Sequence, residues 1–224
     1  MLSTDITRFI RESLPFWDKL FENQRNLLLN YTTQHHYQRG ESILSSTFEC
    51  IGLLLIKSGT IRVYILSEEG KEVTLYRLAK GDICVMSASC ILKSITFDVC
   101  IEAEDDCEVI QMASSALSLL SSDNIYVECF IYKLAAERFS DVMWTMQDIL
   151  FTSFDKRLAA FLLDETAKNY SDTLKMTHEQ IAKYMGSARE VVSRMLKYFA
   201  NEGYVTLSRG GVRIIDKESL VALL

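Results

Sequence analysis

Short apolar runs separated by turn residues follow one another from about Gln38 to Met112. The runs are rich in β-branched and aromatic residues and read ESIL, IGLLLIK, TIRVYIL, EVTLYRL, ICVM, TFDVCIEA and CEVIQM. Glycines mark the turns between them, at Gly40, Gly59, Gly70 and Gly81. Strands of this length and spacing are typical of an antiparallel barrel or jelly roll.

Helical spacing precedes the strands. Residues 4–34 carry it with an interruption at Pro15, which is compatible with a helix start or with a break between two short helices. On this interpretation His35 and His36 lie before the first strand, where surface or packing roles are expected and haem ligation is the alternative.

A long helix is predicted after the last strand, because residues 123–151 contain neither glycine nor proline. At about 1.5 Å per residue such a helix is roughly 40 Å long. Seven of its residues recur at alternating steps of three and four, the spacing by which two helices pack in a coiled coil; they are Cys129, Tyr132, Ala136, Phe139, Met143, Met146 and Leu150. We expect these residues to form a homodimer interface; the alternative is that they pack on the barrel of the same chain.

Three helices and a hairpin are predicted after a hinge at residues 152–156. The segment KRLAAFLLDETAK is the first helix, Thr177 opens the second with a capping box, and Gly186 closes it. Ser187 and Glu190 are expected to form another capping box that opens the third. Two short helices around a glycine turn indicate a helix-turn-helix, and YVTL-SRGG-VRII predicts the hairpin, or wing, that completes it.

Charge is distributed unevenly along the chain. The net charge is −6, yet residues 175–213 hold seven Lys and Arg against three Asp and Glu. This local basic patch is what a DNA-binding module needs, while the acidic front of the chain should avoid phosphates. The sequence has no G-x-S-x-G, Walker loop, HExxH or Gly-rich nucleotide fingerprint, so catalysis is not expected.

The first residues lack the features of a signal peptide, and the densest apolar run, CIGLLLI, is too short to span a bilayer. A cytoplasmic location without a membrane partner is expected. In that compartment the six cysteines are expected to be reduced thiols, and without a CxxC spacing no structural zinc site is expected.

The third predicted helix would read DNA through the N-terminal turns that enter the major groove. Arg189, Glu190, Ser193 and Arg194 share one face there. Arginine can bond to guanine O6 and N7, and glutamate accepts from the cytosine amino group. Other polar residues are better placed for backbone phosphates: Thr177, Ser187, Lys197 and Arg209.

Simpler interpretations of the same residues exist. Glu190 could serve only as the N3 partner of its capping box, and Arg194 could be an ordinary solvated arginine. The whole module could also dock on a protein, as some winged helices do. The polar face and local basic charge favour DNA, because a protein dock would more naturally expose apolar anchors.

The segment THEQIAKYMGSAREVVSRMLKYFANEGYVTLSRGGVRI resembles the helix-turn-helix of the Crp/Fnr superfamily. The resemblance extends upstream through IKSGTIRVYILSEEGKEVTLYRLAKGDI and covers nearly the whole chain. It implies an α+β fold with three parts: a cyclic-nucleotide-binding-like antiparallel β roll (1–122), a dimerisation helix and hinge (123–152), and a winged helix-turn-helix (153–224). For DNA it implies a palindrome with TGA-like half-sites. The implied partners are double-stranded DNA, a second copy of the chain and RNA polymerase.

The sensor half departs from the family. Val85 and Met86 stand where cyclic-nucleotide binders carry Gly-Glu, and Phe97-Asp98 stands at the Arg-Ser position that holds the cyclic phosphate. Both donors and positive charge are missing there, so cyclic AMP is not the expected effector. No cysteine precedes Cys50, so the N-terminal cluster that holds an iron-sulfur centre in the oxygen-sensing branch is not expected either.

An unidentified small-molecule or redox effector remains, in a pocket edged by alignment with Cys84, Met86, Ser87, Ser89, Cys90, Phe97 and Asp98. A thiol switch or soft-metal or haem ligation by Cys84 and Cys90 is conceivable. The plainer interpretation is that they are buried thiols that act as small hydrophobic residues.

Overall fold

The computed structural model describes residues 3–44, 51–85 and 99–224. The fold is α+β, with antiparallel sheets in the N-terminal half and a helix-turn-helix at the C-terminus, which confirms the predicted class. The chain divides into two compact units: Met1–Ile65 with Leu75–Val142, and Leu66–Thr74 with Met143–Leu224. Within the described ranges, no helix has both the length and the hydropathy needed to cross a membrane.

The β roll consists of two four-stranded antiparallel sheets, ordered β1-β8-β3-β6 and β2-β7-β4-β5. The strands of the roll are β1 (Thr32–Tyr37), β2 (Ser42–Leu44), β3 (Leu53–Ser58), β4 (Ile61–Leu66), β5 (Glu72–Leu78), β6 (Ile83–Cys84), β7 (Cys100–Ala103) and β8 (Cys107–Met112). Seven of them match the predicted runs. The other, β1, was not predicted, and it contains His35 and His36. Their placement before the first strand was therefore wrong: the segment TTQHHY pairs with β8 although it is polar.

The continuous apolar run of β3 follows from burial on both faces of its sheet. Leu54 and Ile56 point into the roll interior, where both sheets contribute side chains. Leu53 and Leu55 point the other way, into a second core formed with the helices. Since successive side chains of a strand alternate between faces, a strand covered on both sides must be apolar throughout.

Four helices supply that second core. They are α1 (Thr4–Ser13), α2 (Glu22–Asn30), α3 (Ser114–Asp123) and α4 (Ile125–Phe151), with a short 3-10 helix at Trp17–Lys19. The break between α1 and α2 lies at Pro15, which agrees with the predicted break between two short helices and not with a helix start. The sequence did not indicate α3. It ends at Asp123, and the buried Asn124 separates it from α4, donating to the carbonyl of Lys19 at 3.0 Å.

The long helix is confirmed, and only one of its faces is covered by its own chain. Val127, Ile131 and Leu134 are the buried residues of α4 and belong to the helix-and-sheet core. All seven residues of the predicted seam are exposed, from Cys129 to Leu150. The alternative that the seam packs on the barrel of the same chain is therefore wrong, and the homodimer interface stays a prediction.

The C-terminal segment folds around its own core. Its elements are α5 (Phe154–Lys168), β9 (Thr173–Leu174), α6 (His178–Met185), α7 (Arg189–Asn201), β10 (Val205–Ser208), β11 (Gly211–Ile214) and α8 (Lys217–Ala222). The wing is confirmed as an antiparallel hairpin of β10 and β11, and β9 adds a third strand. The predicted hinge at 152–156 is shorter in the structure, because α5 already begins at Phe154.

Candidate nucleic-acid interface

Helices α6 and α7 pack through apolar side chains spaced for one helical face each. Ile181 and Met185 of α6 lie in the same core as Val192, Leu196 and Phe199 of α7. The steps of four and three between the α7 residues give one buried stripe. Polar residues at the positions between them are therefore turned outward, so the packing of the inner face decides which side chains α7 presents.

The start of α6 has the predicted capping box. The Thr177 hydroxyl accepts from the N–H of Gln180 at 3.2 Å, and the Gln180 carboxamide accepts from the N–H of Thr177 at 2.8 Å. Gly186 ends the helix in the left-handed conformation, with φ of 58°. This positive φ is the reason for a glycine here.

The second predicted capping box, between Ser187 and Glu190, is wrong. The residue before α7 is Ala188, and its side chain makes no capping hydrogen bond. Ser187 belongs to the end of α6 instead, because its N–H donates to the carbonyl of Ala182 at 3.0 Å. Ser187 is thus part of the turn that closes α6, and α7 begins one residue later than predicted. The alternative role of Glu190 as the partner of a Ser187 cap is therefore wrong as well.

Three of the four predicted base-reading residues are exposed to solvent. Arg189, Glu190 and Arg194 are exposed, whereas Ser193 is half-buried between them. All four line one shallow depression on the surface of α7, together with Lys197, Tyr198 and Asn201. The structure therefore brings the four together on one outward face, with Lys197 at its edge.

Ser193 has a partner that sequence reasoning missed. The Nδ1 atom of His178, the first residue of α6, lies 2.8 Å from the Ser193 hydroxyl. Burial lowers the pKa of His178 from its usual 6.5, and the Arg189 guanidinium lowers this pKa further. No spacing rule links residues 15 apart on different helices, so this pair could not be read from the sequence. Tyr198 and Asn201, in contrast, follow Arg194 at steps of four and seven and could have been found from helical periodicity.

The predicted phosphate-contacting residues lie at different places around this face. Thr177 is exposed at the N-terminus of α6, and Lys197 is exposed on α7. Arg209 is exposed in the turn of the wing, between β10 and β11. Ser187 is half-buried in the turn between the helices.

Of the predicted effector pocket, the structure describes only Cys84. Met86, Ser87, Ser89, Cys90, Phe97 and Asp98 lie outside the described residues. Cys84 is not in a disulfide, has no exposed surface and packs in the roll interior. Across the described ranges, no three His, Cys, Asp or Glu residues are grouped so that they could hold a metal ion.

Two polar residues near Cys84 were not predicted, one on the sheet and one on α4. Tyr76 is buried beside it, and this burial, with the Cys84 thiol next in effect, raises the pKa of the Tyr76 hydroxyl. The guanidinium of Arg138, on α4, lies 5.2 Å from the centre of the Tyr76 ring. Arg138 also donates to the carboxylate of Asp141 at 2.7 Å. Tyr76 of the sheet thus lies beside both the Cys84 thiol and the Arg138 guanidinium of α4.

A β roll with a long helix, followed by a winged helix-turn-helix with an exposed polar recognition face, defines a DNA-binding regulator with a sensor domain. Residues 156–223 match the Crp-like helix-turn-helix domain, and residues 34–124 match the cyclic nucleotide-binding domain. The chain belongs to the Crp/Fnr family and is a transcription regulator of that type. A solved structure of a Crp/Fnr-family transcriptional regulator from Eubacterium rectale is 45% identical, covers 95% of this chain and 98% of its own, and superposes with a TM-score of 0.91.

Two more distant relatives are named after different signals. The cyclic AMP receptor protein of Thermus thermophilus is 24% identical over 200 residues, which are 89% of this chain and 92% of that protein. The fumarate and nitrate reduction regulatory protein of Yersinia pestis is 27% identical over 197 residues, 83% of this chain and 76% of that protein.

Proposed function

We propose that this protein is a homodimeric regulator that reads a palindromic DNA site with TGA-like half-sites and responds to an effector other than cyclic AMP. The observation that carries the proposal is the outward face of α7, where Arg189, Glu190, Ser193 and Arg194 surround one depression. Two arginines and a carboxylate on the N-terminal turns of a recognition helix suit guanine and cytosine edges in the major groove.

Phosphate contacts would fix the register of the helix on the duplex. Lys197 and Arg209 are exposed and carry the charge that such contacts need. Thr177 would add a hydroxyl donor at the start of α6, and Ser187 would add one in the turn that follows this helix. Because phosphates carry no sequence information, loss of these residues should weaken binding to all sequences alike.

Dimerisation through α4 would explain why the DNA site is a palindrome. The exposed seam is apolar over six turns, from Cys129 to Leu150, and a coiled coil with a second copy would bury it. Each copy would then present one α7, and the two recognition helices would meet successive major grooves about 34 Å apart. In this arrangement residues 1–122 sense the effector, 123–152 join the copies and 153–224 bind DNA.

The effector is proposed to act in the roll and to reset the spacing of the two recognition helices through α4. Val85, at a position where the family's cyclic-nucleotide binders carry Gly-Glu, is fully buried and apolar, which argues against recognition of a ribose there. Tyr76, Cys84 and Arg138 offer polar atoms to a different ligand. RNA polymerase is proposed as a further partner, on the strength of family membership alone.

Selection of bound DNA from a random pool tests the proposal, with full-length protein at fixed salt. Each of Glu190→Ala and Arg194→Ala should cost ~1–3 kcal/mol at its base pair and relax the preference there. Glu202→Ala is the matched control, because this exposed acid lies just beyond the end of α7. A TGA-containing palindrome retained by the control and lost by both variants supports the proposal. Absence of enrichment, with and without reductant, favours docking of these helices on a protein.

A further inference from the structure

His178 of α6 contacts α7 beside the outward face that carries the candidate base-reading residues. It is half-buried at the start of α6, and its Nδ1 atom lies 2.8 Å from the hydroxyl oxygen of Ser193 on α7. Ser193 is in turn one of the residues that line the depression on the recognition face. The histidine therefore holds a side chain of the DNA-reading face without lining that depression itself.

The direction of this hydrogen bond decides what Ser193 can offer a base. A hydroxyl has one proton and two lone pairs, whereas a neutral imidazole carries its proton on either nitrogen. If Nδ1 accepts from the serine, the Ser193 oxygen can only accept from a base amino group, on cytosine or adenine. If Nδ1 carries a proton and donates, the serine proton turns outward, toward guanine O6 or N7 or thymine O4.

We propose that His178 is a positioning residue for base recognition, whose protonation fixes the hydrogen-bond direction of Ser193 and so selects the class of base edge that this hydroxyl reads. The inference rests on the proposed DNA-reading function and adds a residue to it. In the imidazolium form only the donating arrangement exists, so acid should shift the preference of Ser193 toward base acceptors. The neutral form allows both arrangements.

The charges around His178 set the direction of the pH dependence. Glu179 and Lys183 are the nearest ionisable neighbours in its own helix, and α7 carries Arg189 and Glu190 at its first turn. Of these, Arg189 is the one whose charge acts on His178, and it adds to burial in lowering the pKa of the imidazole. Both effects favour the neutral imidazole of His178 in the free protein.

Bound DNA would bring phosphates close to this end of α6 and would raise the pKa of His178 again. A group whose pKa is higher in the complex takes up a proton on binding. Its contribution to affinity is complete below the pKa of the free protein and is lost as the pH rises through the pKa of the complex. We expect tighter binding in mild acid, in addition to the change in base preference.

Random-pool selection with the full-length protein at about pH 8 and about pH 5.5 tests this inference, because phosphates of bound DNA would bring the pKa of His178 back toward its ordinary value between these two pH values. For the unmodified protein we expect a preference change of roughly 3- to 10-fold at one position of each half-site, the range of one neutral hydrogen bond. His178→Asn keeps a donor and an acceptor near the Nδ1 position but does not titrate. This variant should still select the half-site and should lose the change with pH.

Two further variants locate the effect. Ser193→Ala should remove the pH-dependent base preference at that position but leave proton uptake by His178 on DNA binding. If the pair had only a structural role, the variant would not separate these two effects. His36→Asn, at an exposed histidine of β1, is the matched control and should behave like the unmodified protein. A pH shift that persists in His178→Asn, or a site preference that is the same at both pH values in the unmodified protein, overturns the inference and leaves DNA reading intact. Failure to bind any DNA sequence at either pH overturns the proposed function itself.

Discussion

Replacement of Phe139 by alanine tests whether the exposed seam of α4 joins two copies of the chain. The side chain is 66% exposed in the single chain. For an aromatic residue with about 200 Å² of surface, two thirds corresponds to roughly 130 Å² that a partner could cover. At about 25 cal/mol per Å² this is about 3 kcal/mol for each copy, and a symmetric dimer buries the residue twice.

The predicted loss in the variant is therefore at most about 6 kcal/mol per dimer, or roughly 10⁴-fold in the dimer Kd. A seam residue that matters should cost at least about 1 kcal/mol per copy, which is roughly 30-fold in Kd. Folding of the single chain should be unchanged, because an exposed side chain contributes little to the core. The control is Trp144→Ala on the same helix, which removes a 70% exposed aromatic one residue off the seam.

Analytical ultracentrifugation from nanomolar to micromolar concentration measures these constants. We expect dimers for the unmodified protein and for the Trp144 variant, and monomers for the Phe139 variant at concentrations where the others associate. Equal Kd values for all three proteins would refute the assignment of the interface. A monomeric unmodified protein at micromolar concentration would remove the homodimer altogether.

Three further predictions concern the folding of the C-terminal elements. Phe199→Ala removes a fully buried side chain of α7 and should lower the free energy of unfolding by ~3–5 kcal/mol in urea titrations; an unchanged midpoint would contradict the packing. Gly186→Ala places a side chain at φ of 58° and should lower the free energy of unfolding by about 1–2 kcal/mol in the same assay. An unchanged free energy of unfolding would mean that the turn adopts another conformation. Asp216 accepts from the N–H and hydroxyl of Ser219, which lowers the pKa of its carboxyl from 3.8. The ionised carboxyl of Asp216 therefore stabilises the fold at neutral pH, and this effect is lost as the pH falls through the lowered pKa. Asp216→Ala should lower Tm at pH 7 more than in strong acid. An equal loss of Tm at both pH values would argue for a cause other than ionisation.

Elements whose identity depends on local pattern could be predicted from the sequence. The run around Leu53–Ser58 is apolar at consecutive positions because both of its faces are covered. The capping box at Thr177 and the left-handed Gly186 were likewise readable, since each involves residues within a few positions of one another. The polar strand Thr32–Tyr37 was missed, because its pairing with β8 and not its composition makes it a strand.

The capping error at Ser187 has the same origin. Serine followed three residues later by glutamate satisfies the capping pattern, but the N–H of Ser187 is already used to close α6. Two local motifs competed for one residue, and the packing of α6 against α7 decided between them. Helix α7 therefore starts at Arg189, and Glu190 is exposed on the recognition face.

By itself, the sequence determined the order of elements apart from β1 and α3, the family and the four candidate base-reading residues, because periodicity and motif spacing act over short stretches of chain. The tertiary structure decided which faces remain open and which distant side chains meet. Burial of Val127, Ile131 and Leu134 leaves the seam of α4 exposed, and the packing of α6 on α7 brings His178 to Ser193. Such pairings depend on how whole helices are oriented against a shared core, a property that no local spacing encodes.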